Sequence, residues 1–145
     1  MKKMNILAIG AHPDDIEFGC GGTLIKYADR GHRVYLMVMT HGGQGGLENV
    51  RKKEQLDSKA ILGVEHLFWG GYEDTHLTVG KELINKIEEY LVIKEVEIFK
   101  LAVVTKNDKA ISLYQKFGFE IYGEEKNAIK LNKEYINLFL MTKNI

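Results

Sequence analysis

Arg33-Val34-Tyr35-Leu36-Met37-Val38-Met39-Thr40 is apolar at nearly every position. A strand with one wet face alternates apolar and polar side chains, whereas a strand covered on both faces reads as an unbroken apolar run. The stretch therefore predicts an interior strand of a parallel sheet, and parallel neighbours require helical crossovers on either side. Upstream, Asn5–Gly10 is a second apolar run ended by glycine, and residues 16–30 carry Leu24, Ile25, Tyr27 and Ala28 at helical spacing before a stop at Gly31. Downstream come a glycine-rich loop at 41–46 and a helix over 49–62, with Val50, Leu56, Ala60 and Ile61 set among charges and Gly63 closing it. A short strand follows at 66–69, then a helix over 79–93 on Leu83, Ile84, Ile87, Tyr90 and Leu91. Residues 97–104 predict a fourth strand and 108–117 a fourth helix; 119–123 and 135–142 predict a hairpin with a polar connection.

This alternation implies an α/β chain: a three-layer, Rossmann-like, mostly parallel sheet with helices on both faces and an antiparallel C-terminal hairpin. Ligands of such sheets bind beyond the carboxyl ends of the strands, which directs attention to the loops opening at Ala11, His41 and Gly70. The 145 residues, 45% of them hydrophobic, suffice for one ordinary domain. Twenty basic side chains balance 20 acidic ones, so no global field draws the chain to nucleic acid or an anionic membrane. The balance is uneven along the chain: residues 1–97 hold 12 Lys/Arg against 15 Asp/Glu, net −3, and residues 98–145 hold 8 against 5, net +3. Cys20 is the single cysteine, which excludes an internal disulfide and fits a reducing compartment. The opening Met-Lys-Lys-Met-Asn leads into only four apolar residues, Ile6 to Ile9, unlike a secretory signal. No stretch approaches the roughly 20 apolar residues of a membrane span, so a cytoplasmic, soluble protein is expected.

Ala11-His12-Pro13-Asp14-Asp15 follows the first strand directly. An imidazole with a carboxylate suits Zn²⁺ or a similar divalent ion, and a second carboxylate beside them can take a proton from an attacking water. Pro13 fixes one backbone angle of the turn, and Gly19-Cys20-Gly21-Gly22 permits close backbone approach at the helix start. The competing reading is that Asp14 or Asp15 caps the first helix. Cys20 reads as a small packing residue.

The longer string at 11–24, Ala-His-Pro-Asp-Asp-Ile-Glu-Phe-Gly-Cys-Gly-Gly-Thr-Leu, resembles the signature of the PIG-L/LmbE de-N-acetylases. The resemblance continues through Thr40 to Gly46, Arg51-x-x-Glu54, Ala60 to Val64 and Tyr72 to Leu77, covering about residues 4–97. It implies that His12 and Asp15 bind the metal, that Asp14 is the general base, and that Arg51 faces the sugar. On residue type alone Arg51, next to Lys52 and Lys53, reads equally as a solvated helix charge. Members of that family carry a further histidine motif after the fourth strand that supplies a third ligand; here no histidine lies beyond His76. His41 and, after it, His76 are the candidate replacements, each otherwise a loop histidine in solvent. Phe68, Trp69 and Tyr72 could stack on a sugar, with core packing the plainer use.

Residues 101–145 instead resemble the carboxyl-terminal half of the GNAT acetyltransferases, through Val103-Val-x-x-Asn107-x-x-Ala110-Ile-x-Leu-Tyr114-x-Lys-x-Gly118-Phe119. That resemblance implies that Asn107 and Tyr114 line a coenzyme A channel. The glycine-containing pyrophosphate loop of those enzymes is not seen upstream of residue 101. The expectation is one composite domain over 1–145, de-N-acetylase-like to residue 97 and acetyltransferase-like from 98. The second part would add a fourth strand and covering helix to the first part's sheet. The expected function is metal-dependent hydrolysis of an N-acetyl amino sugar or its conjugate. Zinc or another divalent ion would be weakly held and turnover low because a ligand motif is missing. The alternatives are an acetyl-CoA-dependent N-acetyltransferase and an inactive chimeric fold. The partner expected is a small N-acetyl sugar, not nucleic acid or membrane, and an oligomer is compatible with the sequence.

Overall fold

The computed structural model describes residues 2–74, 76, 80–93, 95–131 and 133–145. The chain divides into two compact units, Met1–Thr78 and Val79–Ile145.

The first unit runs β1 (Asn5–Gly10), α1 (Asp15–Asp29), β2 (Arg33–Thr40), α2 (Glu48–Ile61) and β3 (His66–Tyr72). Its three strands form one parallel sheet in the order β1-β2-β3, with Leu7 beside Tyr35 and Met37 beside Phe68. β2 is the central strand, and Leu36, Met37 and Val38 are wholly buried, as its unbroken apolar run predicts. Val34, Leu36 and Val38 join Ile16 and Leu24 of α1 and Leu62 and Val64 beyond α2 in one core. Gly10 ends β1 where a side chain is barely tolerated. A Cβ there would stand 3.0 Å from Ile16 Cγ1 and 3.1 Å from Asp15 Cβ, so glycine lets α1 begin directly over the strand end.

In α2 the inward stripe is polar. Gln55 is 2% exposed, whereas Val50, Leu56 and Ile61 are 45%, 53% and 77% exposed. Arg51 lies on the side of the helix that meets loop backbone.

The second unit contains α3 (Lys81–Ile93), β4 (Ile98–Val104), α4 (Asp108–Lys116), β5 (Glu120–Leu131) and β6 (Glu134–Asn144). The expected start of the third helix at Val79 lies outside the described residues. Leu83, Ile84, Ile87 and Leu91 are buried, as the spacing predicts.

One expectation is corrected here. β4 was to extend the parallel sheet; instead it pairs antiparallel with β6, giving a separate sheet in the order β4-β6-β5 with Leu101 opposite Met141 and Val103 opposite Phe139. The physical reason is legible in β4 itself. Lys100 sits mid-strand and burial alternates along it, which suits a strand with one wet face; an interior parallel strand would have to desolvate that ammonium group. The polar stretch read as a connection is also strand. β5 continues to Leu131 and pairs with β6 down to Glu134, with a register shift between Glu125 and Ile129 where Asn127 adopts φ 56°. Val103, Phe119 and Met141 form the core of this unit.

Candidate active site

At the carboxyl end of β1, the loop from Ala11 to Asp14 is tied to β2: Thr40 donates to Ala11 O from both its backbone N and its Oγ1, each at 2.9 Å. Beyond it the chain turns sharply into α1. Asp14 sits at the helix N-cap position with φ 89° and ψ −26°, a left-handed conformation uncommon for a side-chain-bearing residue, and its side chain caps no helix amide. Asp15 does not cap α1 either. Its Oδ2 accepts from His12 N at 2.9 Å and stands 3.5 Å from His12 Nδ1. The capping reading of both aspartates therefore fails, and the two carboxylates are left for the site.

His12 Nε2 contacts Asp74 Oδ1 at 2.9 Å, and the Asp74 side chain is only 10% exposed. Asp74 Oδ2 accepts from Gln44 N at 2.9 Å, so one carboxylate joins the loops after all three strands. An ionised carboxylate only accepts, which puts a proton on His12 Nε2 and, in the neutral ring, leaves Nδ1 with the lone pair facing Asp15. Two ligand atoms on a tetrahedral zinc ion stand roughly 3.4 Å apart. The spacing of Nδ1 and Asp15 Oδ2 fits that, and a carboxylate on the far ring nitrogen is the usual outer partner of a metal-binding histidine. The fit extends to two ligands. Among the described residues no group of three or more His, Cys, Asp or Glu side chains is arranged to hold an ion.

The candidate replacements point elsewhere. His41 packs edge-on against Trp69 with ring centroids 4.9 Å apart, and its Nδ1 stands 3.6 Å from Glu48 Oε2. His76 is exposed, with its Nδ1 3.3 Å from Asp74 O. Trp69 packs on the first core, and Phe68 against His66. Thr75 and Leu77, part of the quoted resemblance, lie outside the described residues.

Arg51 is no solvated charge. Its side chain is 16% exposed, and its guanidinium donates from Nη2 to Pro13 O at 2.7 Å and to Asp14 Oδ2 at 3.1 Å, and from Nη1 to Gly42 O at 3.2 Å. Gly42 has φ 68°, and a Cβ there would meet Arg51 Cζ at 2.8 Å, so glycine is what lets the guanidinium lie across the second loop. Beside Asp14 an open pocket of about 150 Å³ is lined by Pro13, Asp14, Glu17, Arg51, Glu54, Gln55 and Ser58. Gln55 Oε1 accepts from Asp14 N at 3.2 Å, and Gln55 Nε2 donates to Glu17 Oε1 at 2.6 Å. Ser58 Oγ donates to the same Glu17 oxygen. Half-buried Cys20 has its thiol pKa raised, first by burial and then by the Glu17 charge, which disfavours the nucleophilic thiolate.

Sequence reasoning thus placed His12, Asp14, Asp15 and Arg51 in one region, and the structure brings them together. It missed Asp74, Glu17 and Gln55. The available signal for Asp74 was an acidic residue just past the carboxyl end of the third strand; Gln55 offered none.

In the second unit the residues resembling a coenzyme A channel make contacts within the fold. Asn107 caps α4, its Oδ1 accepting from Ala110 N at 3.2 Å. Tyr114 packs edge-on against Phe119 at 5.8 Å, and burial raises its phenol pKa.

The family described as PIG-L, GlcNAc-PI de-N-acetylase, matches residues 7–112. The uncharacterized deacetylase YaiS of Escherichia coli (strain K12) is 35% identical over 115 residues, 74% of this chain and 61% of that protein. The N,N'-diacetylchitobiose deacetylase from Pyrococcus horikoshii, solved with its inhibitor MPG, aligns with a TM-score of 0.61 at 32% identity, covering 64% of this chain and 38% of that one. The L-amino acid N-acetyltransferase AaaT of Escherichia coli (strain K12) is 33% identical over 63 residues, 43% of this chain and 37% of that protein. Acetyltransferase similarity falls on the C-terminal part. The chain therefore spans 61% of the length of YaiS and smaller shares of the others.

Proposed function

The chain belongs to the PIG-L family of de-N-acetylases, and from that premise we propose that its first unit is built to hydrolyse the acetamide of an N-acetyl amino sugar or its conjugate with the help of a divalent metal, zinc first. The observation that carries the proposal is the loop at the end of β1, where Asp14, left-handed and with an exposed carboxylate, lies between the paired residues His12 and Asp15 in the chain. His12 Nδ1 and Asp15 would hold the ion, and Asp74 keeps the imidazole turned toward it. When bound, the ion supplies Lewis acidity, polarising the acetamide carbonyl and acidifying the attacking water. Asp14 accepts the proton of that water and returns it to the leaving amine. Arg51 steadies the Asp14 carboxylate and borders the space where the sugar would lie. With two side-chain ligands where catalytic zinc usually has three, affinity and turnover are low.

A three-layer Rossmann-like arrangement of the parallel half, a cytoplasmic location and a small N-acetylated sugar conjugate as partner belong to the same proposal. No helix among the described residues is long and apolar enough to cross a membrane. The decisive test is zinc titration together with acetate release from N-acetylglucosamine and diacetylchitobiose. Asp14→Asn should keep the metal and lose hydrolysis. Full zinc occupancy that survives loss of both His12 and Asp15 would sink the assignment.

The acetyltransferase reading rests on the identity of the C-terminal part with AaaT. Its test is calorimetric titration with coenzyme A. We expect no submicromolar binding, because residues 82–97, the stretch leading into that part, hold no glycine and so no loop of the acetyltransferase type to present amides to the pyrophosphate.

A further inference from the structure

Helices that bury one face normally line it with apolar residues at i, i+4 and i+7. In α2 that stripe is Arg51, Gln55 and Ser58, while Val50 and Ile61 face solvent. Gln55, 2% exposed, is the most buried of the three. A buried amide weakens packing unless both of its ends are hydrogen-bonded, and both are: Oε1 to Asp14 N and Nε2 to Glu17 Oε1. Glu17 is fixed in turn by Ser58, and its other oxygen, Oε2, is buried with no hydrogen-bond partner among the described residues. Both ends of the amide are thus engaged, one by the loop residue Asp14 and one by α1, so the arrangement points to positioning of the loop.

We propose that Gln55 is a positioning residue for Asp14, one jaw of a two-point clamp carried by α2. Arg51 holds the Asp14 carboxylate and Gln55, one turn on, holds the Asp14 amide, with Glu17 and Ser58 bracing Gln55 from behind. Asp14 needs such a clamp. Its side chain is 57% exposed, so packing does not fix it, and its φ of 89° is one that an aspartate leaves when unrestrained. The inference rests on Asp14 being the proton acceptor of the proposed function, but its test does not depend on activity alone.

The experiment is residue-resolved amide hydrogen exchange by NMR on the full 145-residue chain, comparing wild type with Gln55→Met and Gln55→Asn. Methionine keeps the volume and loses the acceptor; asparagine keeps the chemistry and falls short of reaching both partners. Asp14 N–H exchange should rise about tenfold or more in both, the factor that corresponds to one lost hydrogen bond, while the amide of Phe18, which donates to Asp14 O, changes little. A general rise over α1 and α2 would mark Gln55 as merely structural and overturn the proposal, as would unchanged Asp14 protection. Acetate release, where measurable, should lose kcat with KM nearly constant. If Asp14→Asn retains full hydrolysis, the base assignment fails while the exchange result stands, so the two failures are separable. Should Gln55→Met not fold, Gln55→Asn and Ser58→Ala carry the same measurement, the latter with a smaller rise.

Discussion

The central strands of the two sheets obey different rules. Seven of the eight residues of β2 are buried, whereas β6, eleven residues long, buries one, Met141. The parallel sheet has to be covered on both faces, so its polar chemistry is pushed to the loops at one edge, where His12, Asp15, Asp74, Arg51 and Asp14 gather. The antiparallel sheet spreads polar residues along its strands; of the groups that resemble a ligand channel, Asn107 caps α4 and Tyr114 packs against the core. Family resemblance covers both regions; in the first, the hydrogen bonds link groups from three loops around His12 and Asp14.

The largest test of this contrast is packing. Leu36→Ala in β2 should cost about 2–5 kcal/mol in urea denaturation, whereas Leu101→Ala in half-exposed β4 should cost about 1 kcal/mol. Equal losses would break the comparison. On the proposal that the 145 residues form one composite domain, both variants lower a single calorimetric transition; two transitions would show that the halves unfold independently.

Next in size is the metal site. His12→Ala or Asp15→Ala should abolish zinc binding, and Asp74→Ala should weaken it roughly 10- to 100-fold by releasing the imidazole. His41→Ala and His76→Ala should leave the titration unchanged, since those rings are turned to Trp69, Glu48 and the Asp74 backbone. A loss in either would name the missing ligand.

Asn107→Ala should lower stability by about 1 kcal/mol, the usual value of a helix cap, and should leave zinc binding untouched. A change in zinc affinity would contradict a purely scaffold role for that residue.

The smallest effect concerns the thiol. The folded state holds the Cys20 proton more tightly than the unfolded chain does, because of burial and the Glu17 charge. This contribution is full below the ordinary thiol range and is lost as pH rises through the folded value. Wild type should therefore lose slightly more stability than Cys20→Ala between neutral and alkaline pH. Tyr114, raised by burial alone, is common to both proteins. Parallel melting curves across that range would remove the effect.

Much of this was legible in the chain. β1 and β2 match their apolar runs, and the first motif lies at a strand end, because apolar periodicity and glycine stops are local properties of sequence. Lys100 was the local sign that β4 does not belong in a parallel interior. The polar stretch after Gly123 was misread because strands in a two-stranded ribbon need no apolar face on either side.

By itself the sequence determined most of the elements, the family and the position of His12, Asp14 and Asp15 at a strand mouth. Only the tertiary structure decided that β4 pairs with β6, that neither aspartate caps α1, and that Asp74 meets His12 while Gln55 links Asp14 to Glu17. Strand partners and hydrogen-bond partners lie up to dozens of residues apart, and a glutamine or aspartate has the same local signature whether it faces water or a buried amide. What separates the two cases is the free energy of removing the group from water, which is set by neighbours that folding alone brings together.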